Sequence, residues 1–95
     1  MWRGQDGTKM TETKTGGSAV CTPSQSNYPA GWRTIKVVRV SASQVQIYED
    51  SVLIGTHATQ VPGGSLPIRF SGWTYTFGPS QPIAIQVDWA KVTVN

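Results

Sequence analysis

The sequence predicts an all-β fold, an antiparallel β-sandwich of about six to seven strands, and three observations support this prediction. Residues 32–57 form a meander of three strands, separated by the polar turns 41–43 and 49–51. In the middle strand Val45 and Ile47 alternate with polar neighbours, which is the pattern of a half-buried strand. β-Branched residues crowd all three strands, and no helical periodicity competes with the strand pattern.

The segment before the meander is predicted to be mostly irregular. Residues 9–15 alternate threonine with longer side chains, as an exposed edge strand would. Residues 16–30 contain two glycines, two prolines and no periodicity, which predicts a loop. A loop of about fifteen residues is long for so small a domain, so it is either functional or displaced from its original context. We therefore expect a single domain over residues 1–95, with an irregular segment at 1–31 and the meander core at 32–95.

Two further strands are predicted after the meander. They span residues 66–70 and residues 82–94, and the apolar face of the last strand switches near Ala90, as a bulge would cause. Trp32 is expected to pack at the mouth of the meander. The predicted core consists of apolar side chains on the inward faces, namely Val45, Ile47, Ile68, Phe70, Ile83, Ile85, Val87 and Trp89.

Size, cysteine content and charge limit the functions open to this chain. A domain of 95 residues buries only about 60–65% of the surface of its unfolded chain. The single cysteine, Cys21, cannot form an intrachain disulfide and is interpreted as an unreactive thiol. The net charge of +3 comes from scattered residues, and strand alternation separates Arg33 and Arg39 from Lys36, so we expect no nucleic-acid partner.

Membrane and export signals are not apparent in the sequence. No run reaches the roughly 18 apolar residues of a membrane-spanning helix, so no membrane partner is expected. The first residues lack the apolar stretch of a signal peptide. The compartment therefore stays open: intracellular if the chain is whole, and extracellular if it is a fragment of a secreted protein.

Four motifs in a fixed order resemble a known family. They are Trp32-Arg-Thr-Ile-Lys, Val45-Gln-Ile-Tyr-Glu-Asp-Ser-Val-Leu-Ile-Gly-Thr, Val61-Pro-Gly-Gly-Ser-Leu-Pro-Ile and Val87-Asp-Trp-Ala-Lys-Val. This order resembles the C-terminal half of the concanavalin A-like lectin/glucanase jelly roll. One departure is Ser51, which stands where the turn glycine of that family usually lies. The resemblance implies a partial jelly roll and, because members of the family are much longer, a fragment.

The resemblance also implies a non-catalytic, lectin-like carbohydrate-binding module. Glucanases of this fold carry a Glu-x-Asp-x-Glu strand, whose carboxylates act as acid and nucleophile. The two glutamates of this chain, Glu12 and Glu49, belong to no such motif. Glu49 and Asp50 are neighbours, which would face opposite sides of a strand, and we interpret both as turn residues. We therefore expect no enzymatic activity.

Trp73 and Tyr75 are the candidate sugar-binding residues, because flat aromatic faces stack on sugar rings and glycine and threonine surround them. Arg69 and Gln86 are expected to be their hydrogen-bonding neighbours. The alternative is that Trp73 and Tyr75, with Phe77, line the core of the sandwich, and the sequence leaves both interpretations open.

Asp88 is the candidate for metal binding. The resemblance places Asp88 where some relatives hold structural calcium, which takes six to eight oxygen ligands, although its partners cannot be identified. The alternative is an ordinary exposed or hydrogen-bonded acid. His57 ends a strand without a second ligand at metal-binding spacing, so it is interpreted as a solvated histidine. Apart from calcium, no cofactor is expected.

Self-association is the last prediction from the sequence. Half a jelly roll leaves one apolar face uncovered, and two layers are the minimum that buries it. Ile35, Val37, Val38 and Val40 are apolar on both faces of one strand, which indicates burial on more than one side. We expect a homodimer or higher homo-oligomer, against a compact monomer closed by residues 9–15. A structural, self-assembling module without a small-molecule ligand is the alternative function.

Overall fold

The computed structural model describes residues 1–3, 8–26, 31–64, 69 and 86–93. All regular structure in these residues is β-strand and every strand pairing is antiparallel, which confirms the all-β prediction. The strands are β1 (Trp2–Arg3), β2 (Thr8–Met10), β3 (Glu12–Thr15), β4 (Ser18–Cys21), β5 (Gln25–Ser26), β6 (Ile35–Ser41), β7 (Gln44–Glu49) and β8 (Val52–His57). Among the described residues, no helix could cross a membrane.

The chain divides into two compact units, Met1–Ser65 and Leu66–Asn95. All eight described strands belong to the first unit, where they form a sheet β1-β2-β5, a hairpin β3-β4 and a sheet β6-β7-β8. The partial jelly roll stays a prediction, because these sheets establish the antiparallel class without its full topology.

The meander β6-β7-β8 follows the prediction closely. Strands β6 and β7 meet at the turn 42–43, and β7 and β8 meet at Asp50-Ser51. Both residues of the second turn have positive φ, 48° at Asp50 and 70° at Ser51. This is the type I′ geometry that suits the right-handed twist of a two-residue hairpin. A register shift between Ile47 and Tyr48 bends the β7-β8 pair.

The loop predicted over residues 16–30 is wrong, because this segment contains β4 and β5. Gly16, with φ of 57°, and Gly17 form a tight turn that folds β4 back onto β3. Glycine adopts positive φ without a steric penalty, so the glycine pair closes a hairpin rather than opening a loop. The strand predicted at residues 9–15 is present as the two short strands β2 and β3, but its predicted exposure is wrong, because alternate residues are buried.

The core between the N-terminal strands and the meander is largely polar. Lys9, Thr11 and Thr13 alternate along the chain and are all buried, as are Glu49 and His57 of the meander. Ile47 is buried as predicted and is the one apolar side chain in the described core, while Val45 is half-buried. The predicted burial of Trp32 is wrong, since this side chain is 67% exposed.

The described part of the second unit also corrects the sequence analysis. Residues 86–93 show no strand, Trp89 is 64% exposed, and Val87 is exposed as well. Alternation of apolar and polar residues does not by itself form a β-strand, because a strand needs a neighbour to which it is hydrogen-bonded. No described strand pairs with residues 86–93. The other predicted core residues of this unit lie outside the described residues: Ile68, Phe70, Ile83 and Ile85.

Candidate functional site

A buried ion pair joins the N-terminal strands to the meander. Lys9 Nζ, from β2, donates to Glu49 Oε1, at the end of β7, over 3.0 Å, and both side chains are more than nine-tenths buried. The second oxygen, Glu49 Oε2, is buried and has no hydrogen-bond partner within the described chain. Removing a carboxylate from water is expensive unless its lone pairs are satisfied. Glu49 Oε2 is therefore an acceptor that a ligand donor would satisfy.

A second ion pair holds the β7-β8 turn beside the first. Arg33 Nη1 lies 3.0 Å from Asp50 Oδ2, and the amide of Thr34 donates to Asp50 Oδ1 over 2.9 Å. The amide of Asp50 returns a 2.9 Å hydrogen bond to the carbonyl oxygen of Thr34. These contacts stabilise Asp50 in its left-handed conformation and fix its carboxylate next to Glu49.

Both ion pairs line one open cleft of about 380 Å³. This volume lies in the range of about 300–1,000 Å³ that is typical of small-molecule sites. The cleft has a polar side formed by Gln25 and Ser26 of β5, and an apolar side that β8 provides. The described residues that line it are Lys9, Gln25, Ser26, Arg33, Glu49, Asp50, Val52, Leu53 and Ile54.

The positions of Glu49 and Asp50 correct the sequence analysis. Asp50 lies in the turn as predicted, but Glu49 is the last residue of β7 and is buried. The two side chains were expected to face opposite sides, yet both line the cleft. The reason is the positive φ of Asp50, which ends the strand alternation directly after Glu49.

His57 is buried, so its interpretation as a solvated histidine is wrong. Its side chain is 2% exposed, and Nε2 lies 2.7 Å from Thr11 Oγ1. The Thr11 hydroxyl donates to Thr22 Oγ1 over 3.2 Å, so its oxygen accepts a hydrogen bond from His57 Nε2–H, and this network assigns the tautomer. Burial, with the nearby charge of the N-terminal amino group, lowers the pKa of His57. Because Nδ1 is buried without a partner in the described chain, protonation there is disfavoured.

Cys21 is an exposed thiol that an acidic neighbour keeps protonated. Its Sγ donates to Glu12 Oε2 over 3.2 Å, across the β3-β4 pair. The hydrogen bond to the Glu12 carboxylate, followed by desolvation and the charge of Glu12, raises the pKa of Cys21. The thiolate is the reactive form, so this environment suppresses nucleophilic chemistry at Cys21.

The sequence-predicted site residues belong to the second unit, and the structure describes only part of them. Trp73 and Tyr75 lie outside the described residues. Arg69, Gln86 and Asp88 are exposed positions of the second unit. The described part of the chain holds no group of three or more His, Cys, Asp or Glu side chains that could bind a metal ion.

The sequence analysis missed the cleft, although part of its signal is visible in the sequence. Glu49 follows Val45 and Ile47 at the same spacing of two, so it belongs to the buried face of β7. An acid at a buried strand position requires a cationic partner. The identity of that partner, Lys9, is not readable, because 40 residues separate the two in the chain.

Comparison with known proteins adds no relative to this description. No family model matches the chain, and neither the curated proteins nor the solved structures include a significant match.

Proposed function

We propose that this chain is a non-catalytic, lectin-like carbohydrate-binding module, and that the sugar occupies the cleft at the Lys9–Glu49 ion pair. The observation that carries the proposal is the Glu49 carboxylate: Glu49 lines the cleft, and its buried oxygen Oε2 has no partner among the described residues. Such an oxygen would accept a hydrogen bond from a sugar hydroxyl. Hydrogen bonds to charged groups are stronger than those between neutral groups.

The charge of the cleft favours a neutral ligand. Two cations, Lys9 and Arg33, and two anions, Glu49 and Asp50, line it, so their formal charges cancel. A net-positive cleft would favour a phosphate or carboxylate, and a net-negative one would favour a cation. A polyhydroxylated neutral molecule both donates and accepts hydrogen bonds, which matches this mixed lining.

The apolar surfaces around the cleft suit the C–H faces of a sugar ring. Val52, Leu53 and Ile54 line one side, and Leu53 and Val52 are both exposed. Trp32 directly precedes the cleft residue Arg33 and presents an exposed aromatic side chain. Exposed tryptophan faces are the stacking surfaces that sugar-binding proteins use, because the ring is large, flat and apolar.

The first test is a titration of ¹⁵N-labelled protein with a panel of mono- and oligosaccharides, followed by amide chemical shifts. A hit should move the amides of Lys9, Gln25 and Glu49 and leave those of the β3-β4 hairpin unchanged. Glu49→Gln should weaken binding about ten- to hundredfold, as expected for losing one charge-assisted hydrogen bond. The matched control is Glu12→Gln, which changes an exposed glutamate outside the cleft.

Loss of fold is the main hazard of Glu49→Gln, because the variant leaves Lys9 buried beside a neutral amide. Val52→Arg avoids this hazard, because Val52 is exposed, lines the cleft and pairs directly with Glu49 on the same face of the sheet. We expect it to keep the β-sheet circular dichroism spectrum and lose saccharide binding. Unchanged binding in Val52→Arg would contradict the assignment of the cleft.

Tryptophan substitutions test the aromatic contribution separately. Trp32→Ala should weaken binding, whereas Trp89→Ala, at an equally exposed position of the other unit, should not. Trp73→Ala in the same titration tests the sequence-predicted contribution of Trp73 and Tyr75. Repeating the titration with a calcium chelator tests the predicted role of Asp88, and intact saccharide at the end of each run tests the absence of catalysis.

Self-association through β6 is a second candidate function, and the exposure of this strand favours it. In the described sheet, β6 pairs with β7 on one side only. Its side chains Ile35, Val37 and Val40 are exposed, Val37 to 64%. A strand with three exposed apolar side chains and one edge unpaired among the described strands is a template for pairing with a second copy.

Light scattering tests this candidate over about a hundredfold dilution range. Self-association would give a mass above the 10.3 kDa of one chain, falling on dilution. Val37→Lys should shift the mass toward the monomer, because lysine on an edge strand opposes pairing. Val20→Lys, an exposed valine on β4, is the control that should leave the mass unchanged. A constant monomer mass would exclude this function.

A further inference from the structure

A second, shallower depression, the second cleft, lies directly beside the first. It has a volume of about 400 Å³ and shares Gln25, Leu53 and Ile54 with the Lys9–Glu49 cleft. The residues that it adds are Thr22, Pro23, Gly55 and Thr56. The two clefts are thus consecutive parts of one groove along β8, which we call the β8 groove.

Gln25 stands where the two parts of the β8 groove meet. Its Nε2 donates to the carbonyl oxygen of Ile54 over 2.7 Å, which orients the side-chain amide. This bond uses an amide proton and leaves the carbonyl Oε1 of Gln25 as an acceptor at the junction. An amide held in this way is preorganised, so a ligand would not have to order it on binding.

The length and character of the β8 groove differ from those of a single-ring site. From Val52 to Thr56 the strand rises about 13 Å, at roughly 3.3 Å per residue, which is more than one pyranose ring spans. Among the described residues that line the groove, the charged ones all lie in the part at Lys9 and Glu49, and none lies in the part at Pro23 and Thr56. The groove therefore has a polar end that would orient a ring and a neutral end that would accept its continuation.

We infer that the ligand is a linear oligosaccharide of at least two rings. One ring lies at the Lys9–Glu49 pair and the next beside Thr56, and Gln25 accepts a hydrogen bond at the junction between them. This inference rests on the proposed function and specifies its substrate class. On this inference Gln25 favours an oligosaccharide over a monosaccharide, because its acceptor Oε1 lies where the second ring begins.

The test compares the affinities of glucose, mannose and their linear oligomers of two to four rings, namely cello-, malto- and manno-oligosaccharides, by calorimetry on the full chain. We expect at least one series to gain about tenfold in affinity from one ring to two, as one or two added net hydrogen bonds provide. Pro23→Arg, a change at an exposed residue that lines the second cleft and not the first, should remove this gain and leave the monosaccharide affinity unchanged.

The control is Ser43→Arg, which places the same side chain at an exposed turn position outside the groove and should keep the gain. Gln25→Ala should reduce the gain in affinity from one ring to two, because it removes the acceptor at the junction of the two clefts. Monosaccharide binding with no dependence on chain length would overturn this inference and leave the proposed function standing. Absence of binding by every saccharide would overturn both, as would binding of extended peptides instead, which would indicate strand addition to β8.

Discussion

Ser51→Gly is expected to stabilise the protein, because Ser51 occupies a backbone conformation that favours glycine. Its φ is 70°, and it is the second residue of the type I′ turn between β7 and β8. A non-glycine residue in the left-handed region costs about 1–2 kcal/mol. Glycine removes this cost but adds about 0.5–1 kcal/mol of chain entropy to the unfolded state. The net gain in the free energy of unfolding should be roughly 0.5–1 kcal/mol.

Thermal and urea denaturation measure this gain. For a domain of this size it corresponds to a rise in Tm of roughly 2–8 °C. Ser43→Gly is the matched control, because Ser43 lies in the sister turn between β6 and β7 and is not among the described residues with positive φ. There glycine brings only its entropic cost, so we expect a loss of about 0.5–1 kcal/mol. A lower Tm for Ser51→Gly, or equal changes in both variants, would refute the reasoning.

Three further predictions concern the polar core and the thiol. Gly55→Ala should lower the free energy of unfolding by about 1–3 kcal/mol, because the new Cβ would lie 2.1 Å from Thr11 Oγ1; chemical denaturation measures this, and wild-type stability would contradict it. Stability should fall as the pH drops below about 6.5, since burial lowers the folded pKa of His57 and the unfolded chain then binds the proton more readily. The fall should level off below the folded pKa and should be absent from His57→Gln, so an identical pH profile in that variant would exclude His57 as its source. Glu12→Gln should lower the pKa of Cys21 and speed its alkylation by iodoacetamide at neutral pH, because the carboxylate that holds the thiol proton is removed; an unchanged rate would count against the hydrogen bond.

The polar core explains why the meander and the N-terminal strands belong to one unit. Lys9, Thr11 and Thr13 each reach a partner in or just after the meander, at Glu49, His57 and the carbonyl oxygen of Thr59. Hydrogen bonds and ion pairs are directional, so they specify one alignment of the two layers, whereas apolar contacts would tolerate several. The cleft lies beside this alignment and depends on it.

The sequence by itself determined the strand class and the meander. Alternation in β7 and the two polar turns are local features, each decided by residues within a few positions of one another. The turn residues even indicated the hairpin geometry, since Asp50-Ser51 occupies the place of an Asp-Gly pair. The spacing of Glu49 from Val45 and Ile47 also indicates an acid on the buried face of β7, which its interpretation as a turn residue did not take into account.

Only the tertiary structure decided which side chains meet. Lys9 and Glu49 are 40 residues apart, and Thr11 and His57 are 46 apart, so no spacing rule connects them. Burial of Trp32 was predicted from its residue type, yet its exposure depends on what packs over it. Periodicity states which face of a strand a residue occupies, but the layer that covers this face comes from a distant part of the chain. The cleft therefore follows from packing between layers, which local sequence does not encode.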